Sequence, residues 1–119
     1  MTDYPSIQGK TTIDPGVLTT IAKLTTLSIP GVSRMASNSK AVDSFFNKSH
    51  YDEGVKLIVE DEVVYLDLYV VLKSDCEFRK TGKLIQQKVS RAVSEMVGME
   101  IGHVNIHIED IDYNLNHKS

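Results

Sequence analysis

The clearest pattern along the chain is an alternation of apolar and polar residues in its middle. Residues 55–60 alternate, and after Asp61 and Glu62 a longer run at 63–73 alternates again. Period-two alternation is typical of strands, and the two-residue link predicts an antiparallel hairpin. One face of the longer strand is aliphatic throughout and must be buried; it consists of Val64, Leu66, Leu68, Val70 and Leu72.

Helical spacing predicts a first helix before this hairpin, preceded by a short strand at 10–13. Asp14 is a good N-cap and Pro15 suits the first helical position, so the helix begins there. Pro30 and Gly31 end it. Its predicted apolar stripe is Val17, Ile21, Leu24 and Leu27, widened by Leu18 and Ala22.

A second helix is predicted after the hairpin. Ser74 and Glu77 have the spacing of a capping box at its start, and Gly98 is a natural stop at its end. Its predicted apolar stripe is Phe78, Ile85, Val89, Ala92 or Val93, and Met96.

Two further strands and a loop complete the prediction. Residues 32–37 form a short strand, and the Ser-, Asn- and Lys-rich stretch at 37–53 is interpreted as a long loop. A last strand at 101–111 alternates again. The residues predicted to form the core across all elements are Leu66, Leu68, Val70, Ile85, Val89, Ile106 and Ile108.

These elements predict an α+β two-layer sandwich, with one mostly antiparallel sheet and two helices packed on one face. Residues 9–112 form this single domain, between a flexible N-terminus at 1–8 and a polar tail at 113–119. The other sheet face stays open to water or to another subunit. It carries Lys56, Tyr65, Asp67, Tyr69, Asn105, His107 and Glu109.

Composition narrows the classes of function. The chain has 119 residues, a net charge of −3 and a pI near 5.7, which argues against strong non-specific binding to nucleic acid or anionic membrane. Its N-terminus lacks the pattern of a secretory signal, and no apolar run approaches the ~20 residues that span a bilayer. We therefore expect a cytoplasmic protein without direct membrane insertion.

The sequence offers little chemistry. His103 and His107 share a strand face, but at about 3.3 Å per residue they stand about 13 Å apart, which is too far for one zinc ion to bind both. A metal site would need ligands from neighbouring strands, such as Asp67 or Glu109. Cys76, the only cysteine, lies at a predicted helix start without a predictable base. We expect no catalysis, no cofactor and no bound metal.

Two surfaces are candidates for binding. The first is the open sheet face, with Tyr65, Asp67, Tyr69 and His107 as candidate interaction residues, since aromatic residues are enriched at interfaces. Two tyrosines on a sheet also suit base stacking. The second candidate is the polar side of the second helix, which is either a nucleic-acid-binding surface or an ordinary solvated face. Its basic residues are Arg79, Lys80, Lys83, Lys88 and Arg91.

Several short motifs, in their order and spacing over residues 9–112, resemble the alkaline shock protein family of Gram-positive bacteria. The resemblance implies a non-enzymatic cytosolic protein tied to general, alkaline or cell-envelope stress, and some relatives act at the membrane through a membrane-anchored partner. The motifs are Gly9 to Leu18, Ile21-Ala22, Ile29-Pro30-Gly31-Val32, Gly54-Val55, Val64 to Val71, Val89 with Ala92 and Val93, Met96-Val97-Gly98-Met99, and Val104 to Ile108.

The favoured prediction is a non-catalytic stress-response protein that associates with itself and with protein partners, one of which is membrane-anchored if the protein reaches the membrane. The alternative is a nucleic-acid-binding module that uses the basic face of the second helix. The acidity of the chain and its lack of RNA-binding sequence motifs favour the first.

Overall fold

The computed structural model describes residues 8–36 and 49–113. The predictions for residues 1–7, 37–48 and 114–119 lie outside this part of the chain. The described elements are α1 (Pro15–Leu27), β1 (Val32–Met35), β2 (Ser49–Asp52), β3 (Val55–Glu60), β4 (Val63–Lys73), α2 (Phe78–Val97) and β5 (Glu100–Asp112).

The sheet is organised around β4, its longest internal strand. β5 pairs with β4 in parallel from Val63 to Lys73, so it occupies one whole edge of that strand. β3 and β1 pair with β4 antiparallel and share the other edge end to end, and β2 pairs with β3. The predicted α+β arrangement and the β3–β4 hairpin are confirmed.

The junction of β1 and β3 lies against Tyr69. The Tyr69 backbone N–H donates to the Gly54 carbonyl, and its own carbonyl accepts from the Ala36 N–H, both at 2.8 Å. Gly54 has a φ of 85°, and a Cβ there would lie 2.9 Å from the Tyr69 carbonyl oxygen. Only glycine fits where two strands end beside a third.

The core lies between the sheet and the two helices. Leu66, Leu68, Val70, Ile85 and Val89 are fully buried, as predicted. The prediction for the last strand is only partly right. Ile106 is half-buried and Ile108 is 40% exposed, because β5 is an edge strand that lacks an outer neighbour among the described residues.

The buried face of α1 differs from the prediction. Val17, Leu24 and Leu27 are exposed, with Leu24 at 59%. Two threonine hydroxyls explain the rotation, because those of Thr19 and Thr26 each donate to the helix backbone. Thr26 Oγ1 donates to the Ala22 carbonyl at 2.7 Å, which satisfies its polar atom inside the core. The buried residues of α1 are Leu18, Thr19, Ala22 and Thr26.

The prediction for the start of α2 is wrong. Glu77 is its N-cap but makes no side-chain cap bond, and its carboxylate lies 3.7 Å from Lys80 instead. Ser74 belongs to the preceding turn, where its N–H donates to the Asp112 carbonyl at 3.0 Å. The predicted capping box is therefore absent. The predicted stop at Gly98 is confirmed.

The predicted apolar stripe of α2 is right at its centre, where Ile85, Val89 and Val93 are buried, but wrong at its two ends, since Phe78 and Met96 are exposed. The buried residues recur every four positions, whereas a helical turn takes 3.6 residues. The buried side therefore rotates around the helix axis from one end of α2 to the other. Residues at both ends of a straight stripe then face solvent. The buried residues of α2 are Thr81, Ile85, Val89 and Val93.

The strand predictions need two corrections. Residues 10–13 are irregular rather than a strand, although the N-cap of α1 is as predicted, with Asp14 Oδ1 accepting from the Gly16 N–H at 2.8 Å. Residues 49–52 form β2 instead of the end of a loop. β2 lacks an apolar alternation, so only its antiparallel pairing with β3 defines it as a strand.

Replacing Leu68 with Ala is expected to lower the free energy of unfolding by about 2–5 kcal/mol, because a fully buried side chain would leave a cavity. The matched control is Leu24→Ala on the exposed face of α1, which should change stability by less than about 1 kcal/mol. Urea unfolding measures both. Equal losses in the two variants would contradict the register of β4 and the orientation of α1.

Candidate interaction face on the open side of the sheet

The parallel register of β4 and β5 places the candidate side chains in two facing rows. Tyr65 lies beside His103, Asp67 beside Asn105, and Tyr69 beside His107. These residues point away from the core face, which the aliphatic residues of β4 form with the helices. We call this set of six residues the open face.

Asp67 is the centre of the hydrogen bonding on the open face. Its Oδ1 accepts from Asn105 Nδ2 at 3.2 Å and lies 2.9 Å from His107 Nε2. The Asp67 side chain is only 20% exposed. Two neighbours on β5 therefore hold one carboxylate oxygen in place and orient it.

The imidazole of His107 is held from a second direction. Its ring stacks on the Tyr69 ring with centroids 4.5 Å apart and planes 12° apart. Offset stacking and a hydrogen bond to a carboxylate each restrict rotation of a ring. The three side chains therefore form one ordered unit.

A second ring pair lies further along the strands. The Tyr65 and His103 centroids are 5.0 Å apart, with their planes tilted by 55°. The Tyr65 ring also lies directly over Gly102, where any Cβ would overlap its atoms. Gly102 thus provides the space for this aromatic ring.

The structure brings together all four predicted interaction residues, Tyr65, Asp67, Tyr69 and His107. Sequence reasoning left His103 and Gly102 out of the candidate site, and placed Asn105 on the face without a role. The available signal was the shared alternation of β4 and β5, but it becomes specific only once their register is known. Glu109, predicted on this face, falls at a register shift and pairs with no β4 residue.

The open face does not assemble a metal site or a nucleophilic site. In residues 8–36 and 49–113, no group of three or more His, Cys, Asp or Glu side chains is arranged to hold a metal ion. Cys76 packs against the core on the helix side, beside Gly31. What the arrangement offers is hydrogen-bond donors and acceptors beside aromatic rings.

A groove of about 940 Å³ lies elsewhere, between the start of α1, the β3–β4 turn and the end of α2. Asp61 and Glu62 contribute to its wall from the turn, and both have positive φ values, as a tight hairpin link requires. Their carboxylates are exposed, so they act as solvated turn residues.

The predicted basic surface on α2 is exposed along its whole length. Two of its five charges are paired within the helix. Lys80 lies 3.7 Å from Glu77, and Arg91 lies 3.3 Å from Glu95. Arg79, Lys83 and Lys88 make no ion pair with any described residue.

Neither helix of the described residues is both long enough and apolar enough to cross a membrane. The fold and the open face together define a small α+β domain with one helix-covered and one polar–aromatic sheet face. Comparison with family models identifies the family within this class. The model of the alkaline shock protein 23 family, described as having a cell envelope-related function, matches residues 3–113, and the chain belongs to this family. The resemblance found in the sequence is confirmed.

Two Bacillus subtilis proteins illustrate the relationship. The chain is 28% identical over 106 residues to the uncharacterized protein YqhY, covering 88% of this chain and 78% of that protein. It is 23% identical over 106 residues to the uncharacterized protein YloU, covering 87% of this chain and 88% of that protein.

Solved structures of the MamM CTD share the fold. One variant superposes with a TM-score of 0.52 at 11% identity, covering 83% of this chain and all of that one. A second gives 0.51 at 11% identity, covering 82% and 96%. At this identity the likeness concerns the fold alone.

Gly102→Ala is expected to destabilise the protein by about 1–3 kcal/mol, because the new methyl group overlaps the Tyr65 ring. In a Tyr65→Ala background the same change should be neutral or slightly stabilising. The reason is that an unfolded chain with alanine at this position has less conformational entropy to lose on folding than one with glycine. Urea unfolding of the four proteins in this double-mutant cycle measures the coupling. Additive effects would contradict the contact.

Proposed function

We propose that this protein acts without catalysis in a cell-envelope or general stress response, by binding copies of itself and protein partners through the open face. The observation that carries the proposal is the ordered unit of Asp67, His107 and Tyr69 on the sheet face opposite the helices. Side chains already held in one geometry lose less entropy on binding. Tyrosines supply large contact areas with a polar tip.

The chemistry of the face supports a binding role over a catalytic one. Asp67 and His107 form a carboxylate–imidazole pair, but nucleophilic catalysis also needs a nucleophile within hydrogen-bond reach of the base. Cys76 packs on the helix side, away from this pair. The described residues therefore offer the pair no thiol.

Charge supports protein partners over nucleic acid. The basic surface of α2 is reduced by its pairs with Glu77 and Glu95, and the whole chain is acidic. Affinity for nucleic acid rises with the number of phosphates neutralised.

We also propose that the protein lies in the cytoplasm and reaches the membrane through a membrane-anchored protein partner.

The test compares two multiple variants with the native protein. Tyr65→Ser with Tyr69→Ser removes both rings from the open face, and is expected to shift sedimentation velocity profiles to smaller species. The matched control, Lys80→Gln with Lys88→Gln and Arg91→Gln, alters only the basic surface and should leave the profiles unchanged. Circular dichroism and urea midpoints establish that each variant is folded.

The same variants separate the two classes of function. Loss of RNA or DNA binding in the helix variant, at physiological salt and with unchanged association, would favour the nucleic-acid-binding module. Its affinity would then fall by about one logarithmic unit per phosphate contact for each tenfold rise in salt. Unchanged sedimentation of the folded tyrosine variant would contradict association through the open face.

A further inference from the structure

The outer edge of β5 is a second surface, distinct from the open face. Within residues 8–36 and 49–113, β5 pairs only with β4, so its other edge has no strand neighbour. Register shifts beside Tyr65 and Val71 bracket a regular segment at 103–108. The carboxylates of β5 all lie outside this segment. Charges and bulges normally protect an edge strand, and here they leave its centre unprotected.

The direction of the backbone groups follows from one hydrogen bond. Gln86 Nε2 of α2 donates to the Val104 carbonyl at 3.0 Å, so this carbonyl points to the outer edge rather than to β4. In a parallel ladder successive residues turn their backbone groups alternately toward and away from the neighbour. Ile106 and Ile108 therefore also present their N–H and C=O groups outward.

The same two residues supply apolar contact area. Their register partners on β4 are Leu68 and Val70, which are buried, so both isoleucines lie on the helix side of the sheet. Ile106 is half-buried and Ile108 is 40% exposed. Among the described residues, the edge thus combines backbone groups that have no strand partner with an apolar strip formed by Ile106 and Ile108.

Basic residues of α2 border this apolar strip. Lys83 and Arg79 lie three and seven residues before Gln86, so they share its side of α2. Because α2 returns to β5 through a short turn, moving toward the start of α2 leads toward the end of β5. Neither residue forms an ion pair with the described part of the chain. Helical spacing therefore puts two basic residues, which lack an ion pair among the described residues, on the side of α2 that lies toward Ile106 and Ile108.

We propose that this edge binds an extended acidic segment of a partner protein, which adds to the sheet as a strand beside β5. Its backbone would pair with Ile106 and Ile108, and its helix-side residues would combine apolar groups with carboxylates facing Lys83 and Arg79. A second copy of this chain fits less well, because two-fold pairing at Ile106 brings both Lys83 side chains together. The proposal concerns a different surface from the open face, and the two fail independently.

The probe is a labelled, end-blocked peptide, Glu-Thr-Ile-Thr-Glu-Thr-Ile-Thr-Glu. Fluorescence anisotropy should show saturable binding, weakened at least tenfold by Arg79→Glu with Lys83→Glu. The matched control is Lys88→Glu, an equally unpaired lysine on another side of α2, which should change affinity less than threefold. N-methylation of alternate peptide amides on the edge facing β5 should abolish binding, and hydrogen exchange should slow at the amides of Ile106 and Ile108.

Several results would overturn the proposal. They are no saturable binding up to millimolar peptide, equal binding of a peptide with Lys in place of Glu, and unchanged exchange at Ile106 and Ile108. Concentration-dependent protection of these amides without peptide would assign the edge to a second copy instead. Tighter binding of a single-stranded oligonucleotide of equal charge, lost in the Arg79 and Lys83 variant, would assign it to nucleic acid.

Discussion

The parallel pairing of β4 with β5 is the interaction on which the rest of the structure depends. Parallel neighbours cannot be joined by a tight turn, so the chain crosses over through α2, which then covers the core face. Because paired residues of parallel strands point to the same side, one register sets both layers. It stacks Leu66 on Val104 in the core and places Asp67 beside Asn105 on the open face.

The sequence predicts those elements whose period is unambiguous. The alternation in β3 and β4 has only one apolar face to bury. α2 has one dominant apolar side at its centre, although the stripe fails at its two ends, Phe78 and Met96. α1 is different, because apolar residues surround most of its circumference. Which side it buries depends on the threonine hydroxyls, since Thr19 and Thr26 each satisfy their oxygen on the helix backbone. Because hydrophobic spacing counts these threonines as polar, it predicts the wrong buried side for α1.

The open face could be predicted only as a set of residues, because its geometry is non-local. Whether Asp67 meets His107 or Asn105 depends on the register with β5, which two shifts reset along the strand. Gly102 has no local signal, since its role is to leave space for a ring 37 positions earlier in the chain. β2 likewise forms because it pairs with β3, and its own residues show no alternation that would predict a strand.

The two surfaces of β5 use different residues for a geometric reason. Side-chain direction and backbone direction both alternate with period two, so they remain coupled along the regular segment. His103, Asn105 and His107 turn side chains to the open face and backbone groups to β4. Ile106 and Ile108 do the opposite, so one ligand does not exclude the other. A strand added at the edge would also extend the open face by one row beside His107. Occupation of the edge would then enlarge the face through which we propose association.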